Sequence, residues 1–257
     1  MYDLSILVPG IRYQNWDRLY NSVKSSIGIG YSWEMIICGP YPPSGESFTK
    51  ESNFKFIRDF GAPARATQIA SLLAQGTYMM WAADDGYLLE NSLKDSLDLL
   101  TPENNPLKGI ILRYSEGPGL SGQMPDDNYW KARTHRDQQL PGIKDSYMCA
   151  PAGMYYTDMF RWLGGLDCRF EHINMCTHDL AFRFQEAGGT FQLSPAEVLK
   201  CDWNPGVGDN IPVQQAYHGN DLGLFQSIWN QPGRQIQISY YNWLGSPERW
   251  ARRFGNG

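Results

Sequence analysis

The stretch MMWAADDGYLLENSL, residues 79–93, decides how this chain is organised. An apolar run from Tyr78 to Ala83 drives straight into two adjacent carboxylates, Asp84 and Asp85. A short run of large apolar residues reads as a strand buried on both faces, here over residues 77–83. Two charges at its end could form an acidic turn leading into the next helix. They could equally be hard oxygen donors for a divalent cation. The stretch alone leaves both readings open.

Working outward, the first half alternates short apolar runs with helix-like segments. LSILVP (4–9), WEMIIC (33–38) and FKFIRDF (54–60) read as strands. NWDRLYNSVKSS (15–26) carries Trp16, Leu19, Tyr20 and Val23 at helical spacing. PARATQIASLLAQG (63–76) reads as a helix with Pro63 at its start and Gly76 just past its end. ENSLKDSLDLL (90–100) reads as another. Such alternation implies a parallel sheet covered on both faces, with ligands bound beyond the carboxyl ends of its strands. Asp84 and Asp85 stand at such an end. In the second half, GIILRYS (109–115) reads as a strand, and residues 116–145 as a long loop of the kind often used for function. MYYTDMFRWLGG (154–165), THDLAFRFQEAGG (177–189) and DLGLFQSIWN (221–230) read as helices, with an irregular tail from Cys201 to the last of these. No internal repeat or linker composition divides the chain, so one domain, 1–257, is expected.

Composition narrows the function. Hydrophobic residues make up 42% and charged residues 19%, which is the balance of a folded chain rather than a disordered one. Net charge is −5 without a basic run, which argues against a nucleic-acid surface. Five cysteines form no CxxC pair and leave one over, so they read as reduced thiols in a cytoplasmic protein. MYDLSILVPG has no basic region, and its apolar run is too short for a signal peptide. No segment approaches the roughly 20 apolar residues of a membrane span, which leaves peripheral membrane contact open. The 9 Trp and 15 Tyr, many in Gly/Pro-rich sequence, suit a wide cleft for a flat, polar-edged ligand such as a sugar, although core packing accounts for most of them singly.

Several ordered pieces, SILVPG, ASLLAQGTYMMWAADDG, FRWLGGLD (160–167) and THDLAFRFQEAGG, together resemble a GT-A-fold glycosyltransferase of the family 2 type over about residues 4–190. The resemblance implies an α/β, Rossmann-like, mostly parallel sheet flanked by helices, with an irregular C-terminal segment. Residues 1–115 would form the nucleotide-sugar-binding half, and 116–257 the acceptor half and tail. In AQGTYMMWAADD it places the DxD motif at Ala83-Asp84-Asp85, with Asp84 toward the ribose and Asp85 on Mn²⁺ or Mg²⁺ at the donor diphosphate. Hard oxygen ligands and a divalent cation suit the charge that a leaving nucleoside diphosphate concentrates.

The remaining site residues also follow from the resemblance. Pro9 and Gly10 would let the backbone approach the nucleotide, with Arg12 within reach of phosphate. Gly61 and Arg65 hold the place of a family Gly and Arg, and Gln68 roughly that of an Asn. Where the family has Asp-Asp-Gly-Ser after the second strand, this chain has Cys38-Gly39-Pro40, so uracil recognition is open and Asp59 is a substitute reader of the base. The xED segment matches imperfectly, with His178 in place of Glu, and puts a general base at Asp179. The same residues also suit helix capping, with Thr177 as N-cap and Asp179 in the first turn. His218, in AYHGNDLGLFQSIW, is a candidate further metal ligand, or else a plain surface residue.

The expected activity is therefore metal-dependent, inverting transfer of a sugar from a nucleotide-sugar to a saccharide or other hydroxyl acceptor, in cell-surface or polysaccharide synthesis. A non-catalytic nucleotide-sugar or carbohydrate-binding protein of the same fold is the first alternative. A sugar-phosphate nucleotidyltransferase is the second, but VPGIR lacks that family's Gly-rich loop.

Overall fold

Alternate residues of the first strand face opposite helical layers. The computed structural model describes residues 2–117, 143–144, 146–202 and 210–246. In β1 (Tyr2–Pro9), Leu4, Ile6 and Val8 pack on one side and Leu7 on the other. β2 (Trp33–Gly39) divides Met35 and Ile37 from Ile36 and Cys38 in the same way. After β3 (Phe54–Arg58), β4 (Gly76–Trp81) divides Tyr78 and Met80 from Met79. Strands apolar on both faces need helices on both, and the chain supplies them. α1 (Trp16–Ile27) and α3 (Ser92–Leu100) cover one face through Leu19, Val23, Leu93 and Leu97. α2 (Pro63–Leu72), α4 (Thr157–Trp162), α5 (Ile173–Glu186) and α7 (Leu222–Trp229) cover the other.

β5 (Gly86–Leu88), β6 (Lys108–Gly117), β7 (Gly153–Tyr156) and β8 (Thr190–Asp202) complete one mixed eight-stranded sheet, ordered β3-β2-β1-β4-β7-β6-β8-β5. β7 is antiparallel to both its neighbours, and β5 to β8. The other pairings are parallel. From β1 the sheet grows outward one way through β2 and β3 and the other way through β4. Such a switch point opens a crevice at the carboxyl ends of β1 and β4.

The structure corrects several expected elements. The helix from Pro63 ends at Leu72, capped by Leu73, and Gly76 opens β4 rather than closing the helix. Its backbone runs so close to β1 that a Cβ there would sit 2.5 Å from the Ser5 nitrogen. MYY, expected to open a helix, belongs to β7, and the helix begins only at Thr157. The next helix starts at Ile173, four residues before Thr177. The tail expected to be irregular contains α6 (Asn210–Ala216) and a π-helical turn (Tyr217–Asp221) running directly into α7. Most of the loop expected over 116–145 lies outside the described residues.

At the end of the sheet away from the crevice, the fully buried Glu34 accepts hydrogen bonds from Ser5 Oγ (2.7 Å), the Gln75 amide (2.5 Å) and Lys55 Nζ (2.7 Å). A buried carboxylate is tolerated there because its lone pairs are met.

At the crevice, β1 and β2 touch through glycines. A Cβ on Gly39 would lie 1.8 Å from the Gly10 carbonyl oxygen, a backbone atom that cannot move aside. Gly39→Ala is therefore expected to lower stability by about 1–3 kcal/mol, the usual cost of overpacking, and to part the two strand ends. Denaturant unfolding checks this; a variant as stable as the parent refutes the close approach.

Candidate functional site

β4 ends in a tight turn. The Gly86 amide donates to the Ala83 carbonyl at 3.1 Å, which makes Asp84 and Asp85 the central residues of a β-turn. The turn aims Asp84 back at the end of β1. Its Oδ2 accepts the main-chain amides of Ile11 and Arg12 at 2.6 Å each, and its Oδ1 accepts Arg12 Nη1 at 2.5 Å. The same Nη1 lies 3.3 Å from Asp85 Oδ2. Arg18 Nη2 reaches the Asp85 carbonyl at 3.3 Å. Both carboxylates are buried, Asp84 at 1% exposure and Asp85 at 8%.

The floor beside them is main chain. The Gly10 amide donates to the Cys38 carbonyl at 2.9 Å, and a Cβ on Gly10 would meet Ile37 Cγ2 at 2.6 Å and Trp16 Cζ2 at 2.9 Å. Pro9, Gly10, Arg12, Asp84 and Asp85 thus gather at the β1–β4 switch point. Asp59 and Arg65 form a neighbouring unit beyond β3, joined to this floor by the Asp59 amide on the Gly39 carbonyl (3.2 Å). Arg65 Nε and Nη2 hold the Asp59 carboxylate at 3.0 Å each, and the Gly61 amide adds a bond at 2.7 Å. Arg65 Nη1 meanwhile donates to the Trp243 (2.7 Å) and Ser246 (2.9 Å) carbonyls. These bonds commit the pair to docking the C-terminal segment. Burial, and secondarily the Asp59 carboxylate, push the neighbouring Cys38 thiol far up, so it stays protonated.

Asp179 stands elsewhere. It falls in the second turn of α5, whose N-cap is His172, accepting the Asn174 amide on Nδ1 at 2.8 Å. The capping role considered for Thr177 and Asp179 therefore does not apply. Asp179 is 2% exposed and both its oxygens are engaged, Oδ2 by Arg183 Nε at 2.8 Å and Oδ1 by Trp229 Nε1 at 3.0 Å. Arg183 spends its other donors on the Leu163 (2.7 Å) and Gly165 (2.6 Å) carbonyls. Burial pushes the Asp179 carboxyl up, against the pull of Arg183. This is the geometry of a buried pair that fastens α5 to α7 and to the glycine turn after α4. Gln68, at the family's Asn position, is likewise structural: fully buried, it donates to the Gly164 and Tyr240 carbonyls and accepts the Leu166 amide.

His218 is exposed on the π-helical turn, edge-on to Tyr217. Among the described residues no three His, Cys, Asp or Glu side chains are gathered as a metal-holding group, so Asp84, Asp85 and His218 do not form one. The donor set that is present, two adjacent carboxylates, suits a cation that completes its shell with substrate phosphate and water rather than a resident, all-protein cage.

A residue of the His218 segment that holds the entry to α5 is Asp221, which the sequence did not single out. Fully buried, it accepts the amides of Glu171 (2.9 Å) and His172 (2.7 Å) and the side chain of Asn220 (2.8 Å). Its only sequence signal is a lone Asp ahead of the apolar face of α7.

Two predictions follow from these buried groups. Asp179→Asn should cost about 3–5 kcal/mol of stability in denaturant unfolding, because Arg183 stays buried without its counter-charge. A base role would instead leave stability intact and cut turnover by about 10²-fold or more. The second concerns pH. Burial raises the Asp221 carboxyl to about 6 and lowers the His172 imidazole to about 4. Between about pH 4 and 6 the folded state keeps a proton on Asp221 that the unfolded chain has released, so stability falls with rising pH. Over nearly the same window the unfolded chain protonates His172 and the folded state does not, so stability rises with pH. The two effects oppose each other, each with a slope of up to about 1.4 kcal/mol per pH unit. His172→Asn should therefore lose stability from pH 4 to 6, and Asp221→Asn should gain it. Two flat profiles would refute the assignment.

No protein-family model matches the chain, nor does any curated protein sequence. Solved structures do. Residues 1–349 of S. aureus TarS in complex with UDP match with a TM-score of 0.59 and 14% identity, over 89% of this chain and 69% of that one. The same TarS fragment with UDP-GlcNAc matches at 0.54 and 14%, over 79% and 59%. GalNAc-T7 with UDP, GalNAc and Mn²⁺ matches at 0.59 and 12%, over 85% and 48%. At such identities the likeness is one of fold, and the fold of this chain is the GT-A fold of these glycosyltransferases.

Proposed function

We propose that this chain is a glycosyltransferase of the family 2 type that takes a nucleoside-diphosphate sugar as donor and a saccharide or other hydroxyl as acceptor. The observation that carries the reading is the carboxylate turn Asp84-Asp85 set beside the Gly10–Gly39 floor at the β1–β4 switch point. The UDP and UDP-GlcNAc bound by TarS, and the Mn²⁺ bound with GalNAc-T7, make UDP-sugars with Mn²⁺ the first donors to try. Cys38-Gly39-Pro40 supplies no side-chain carboxylate to read the base, so discrimination among bases would fall to main-chain groups and to Asp59, whose amide donates to the Gly39 carbonyl.

In this reading Asp85 would hold a divalent cation at the donor diphosphate, and His218 would be a further ligand once brought to it. That cation would neutralise charge on the departing diphosphate. The chain's own residues do the rest. Asp84 fixes the loop after β1, Gly10 and Gly39 admit the nucleotide against main chain, and Arg12 presents a guanidinium to phosphate. The 116–257 half would take the acceptor, with inversion at the anomeric carbon and a polysaccharide product as the family resemblance implies. Asp179 serves in this reading as a positioning residue; to act as a base it would have to leave Arg183 and Trp229. That engagement favours a second reading, donor binding without transfer.

Thermal shift with UDP, other nucleoside diphosphates and their sugars, with and without Mn²⁺, tests the proposal. A ligand at 100 times its Kd stabilises by about 2.7 kcal/mol, several degrees for a chain of this size. Asp85→Ala should abolish the metal-dependent part while the fold survives. Mn²⁺-dependent release of UDP from a bound UDP-sugar would separate an enzyme from a binding protein. No shift with any nucleotide would overturn both readings.

A further inference from the structure

We propose, building on the reading that this crevice binds a nucleoside diphosphate, that Arg12 is an internal counter-cation that keeps divalent metal off Asp85 until the diphosphate arrives. Metal and nucleotide would then bind strongly only together. The geometry has two parts. The Arg12 main chain is anchored, because its amide and that of Ile11 donate to Asp84 Oδ2 at 2.6 Å each. The Arg12 side chain spans the two carboxylates, with Nη1 2.5 Å from Asp84 Oδ1 and 3.3 Å from Asp85 Oδ2. A fixed backbone with a long side chain lets the guanidinium move without disturbing the loop.

Charge gives the arrangement its consequence. Both carboxylates are buried, so their charges are poorly screened. Arginine cannot shed its proton to make room. A divalent ion added at Asp85 alone would set two further positive charges beside the Arg12 guanidinium, with Arg18 Nη2 also 3.3 Å from the Asp85 carbonyl. A diphosphate changes the balance, since it brings its own negative charge and oxygens that accept a guanidinium in paired hydrogen bonds. Arg12 can then exchange Asp85 for phosphate, leaving Asp85 to the cation. Because coupling between two ligands is reciprocal, nucleotide tightens metal by the same factor as metal tightens nucleotide.

The test is Mn²⁺ titration followed by the electron paramagnetic resonance of the free ion, on the whole chain, without nucleotide and with UDP. Wild type should bind Mn²⁺ at least about 10-fold more weakly without UDP than with it. Arg12→Gln, which keeps both amide bonds to Asp84, should tighten nucleotide-free Mn²⁺ by about 10-fold or more and shrink the coupling with UDP. Arg12→Lys keeps the charge and should bind nucleotide-free Mn²⁺ as weakly as wild type, although it cannot repeat the paired hydrogen bonds to phosphate. Adding Asp85→Ala to Arg12→Gln should erase the gain, which locates the ion. Arg12→Met replaces Arg12→Gln if the latter does not fold. A neutral variant no tighter than wild type for nucleotide-free Mn²⁺, or a lysine variant as tight as the neutral one, overturns the proposal. Failure of UDP to bind at all would defeat the functional reading, while the nucleotide-free comparison would still decide the competition at Asp85.

Discussion

The carboxylate of Asp84 holds two main-chain amides of the loop after β1, and the rest of the site depends on that attachment. β1 and β4 are parallel neighbours, so their carboxyl ends lie side by side without being joined in sequence. An apolar residue at position 84 would leave the Ile11 and Arg12 amides without an acceptor at the mouth of the crevice. With Asp84 in place, the loop is drawn across the β4 turn, Arg12 falls between the two carboxylates, and Gly10 is pressed onto Gly39. One aspartate thus serves the architecture so that its neighbour Asp85 can serve a ligand.

The other half of the chain is fastened by polar bonds to carbonyl groups. Asn242 Nδ2 donates to the Leu166 carbonyl at 3.0 Å, and its Oδ1 accepts the Cys168 amide at 2.8 Å. Gln68 and Arg65 reach the same C-terminal segment from α2. Arg183 ties the turn after α4 to α5, and Asp221 holds the start of α5 to the π-helical turn. Loops cannot bury unmet main-chain groups, so each close packing of irregular backbone needs a side chain to answer its carbonyls and amides. That requirement explains why so many charged residues of this chain, among them Glu34, Arg65, Asp179 and Arg183, lie in the interior in pairs or networks.

These pairs also set a limit on reading carboxylates as catalysts. Asp179 and Asp85 look alike in the sequence, each an aspartate in a segment resembling a glycosyltransferase motif. In the fold, Asp85 sits in a turn at the crevice, whereas Asp179 is closed in by an arginine and a tryptophan. The partners come from i+4 on the same helix and from 50 residues downstream, and only the first of these can be inferred from spacing.

By itself the sequence determined the β1–β4 half of the sheet, α1, the start of α2 and the placing of Asp84 and Asp85 at a strand end. Those elements rest on local signals: continuous apolar strands, helical spacing and Pro63 at a helix start. Tertiary structure alone decided β5, β7 and β8. β5 is only three residues long, and the four of β7 run without a break into α4, so neither shows a period of its own. β8 carries Pro195, which argues against a strand. It is admitted because the pairing with β6 slips around that proline, between Leu193 and Glu197. The partnership of Arg12 with both carboxylates was equally out of reach, since a guanidinium 72 residues away is brought there only by the pairing of β1 with β4. Local pattern specifies which segments are strands and helices; which charge meets which is settled only when the strands lie side by side.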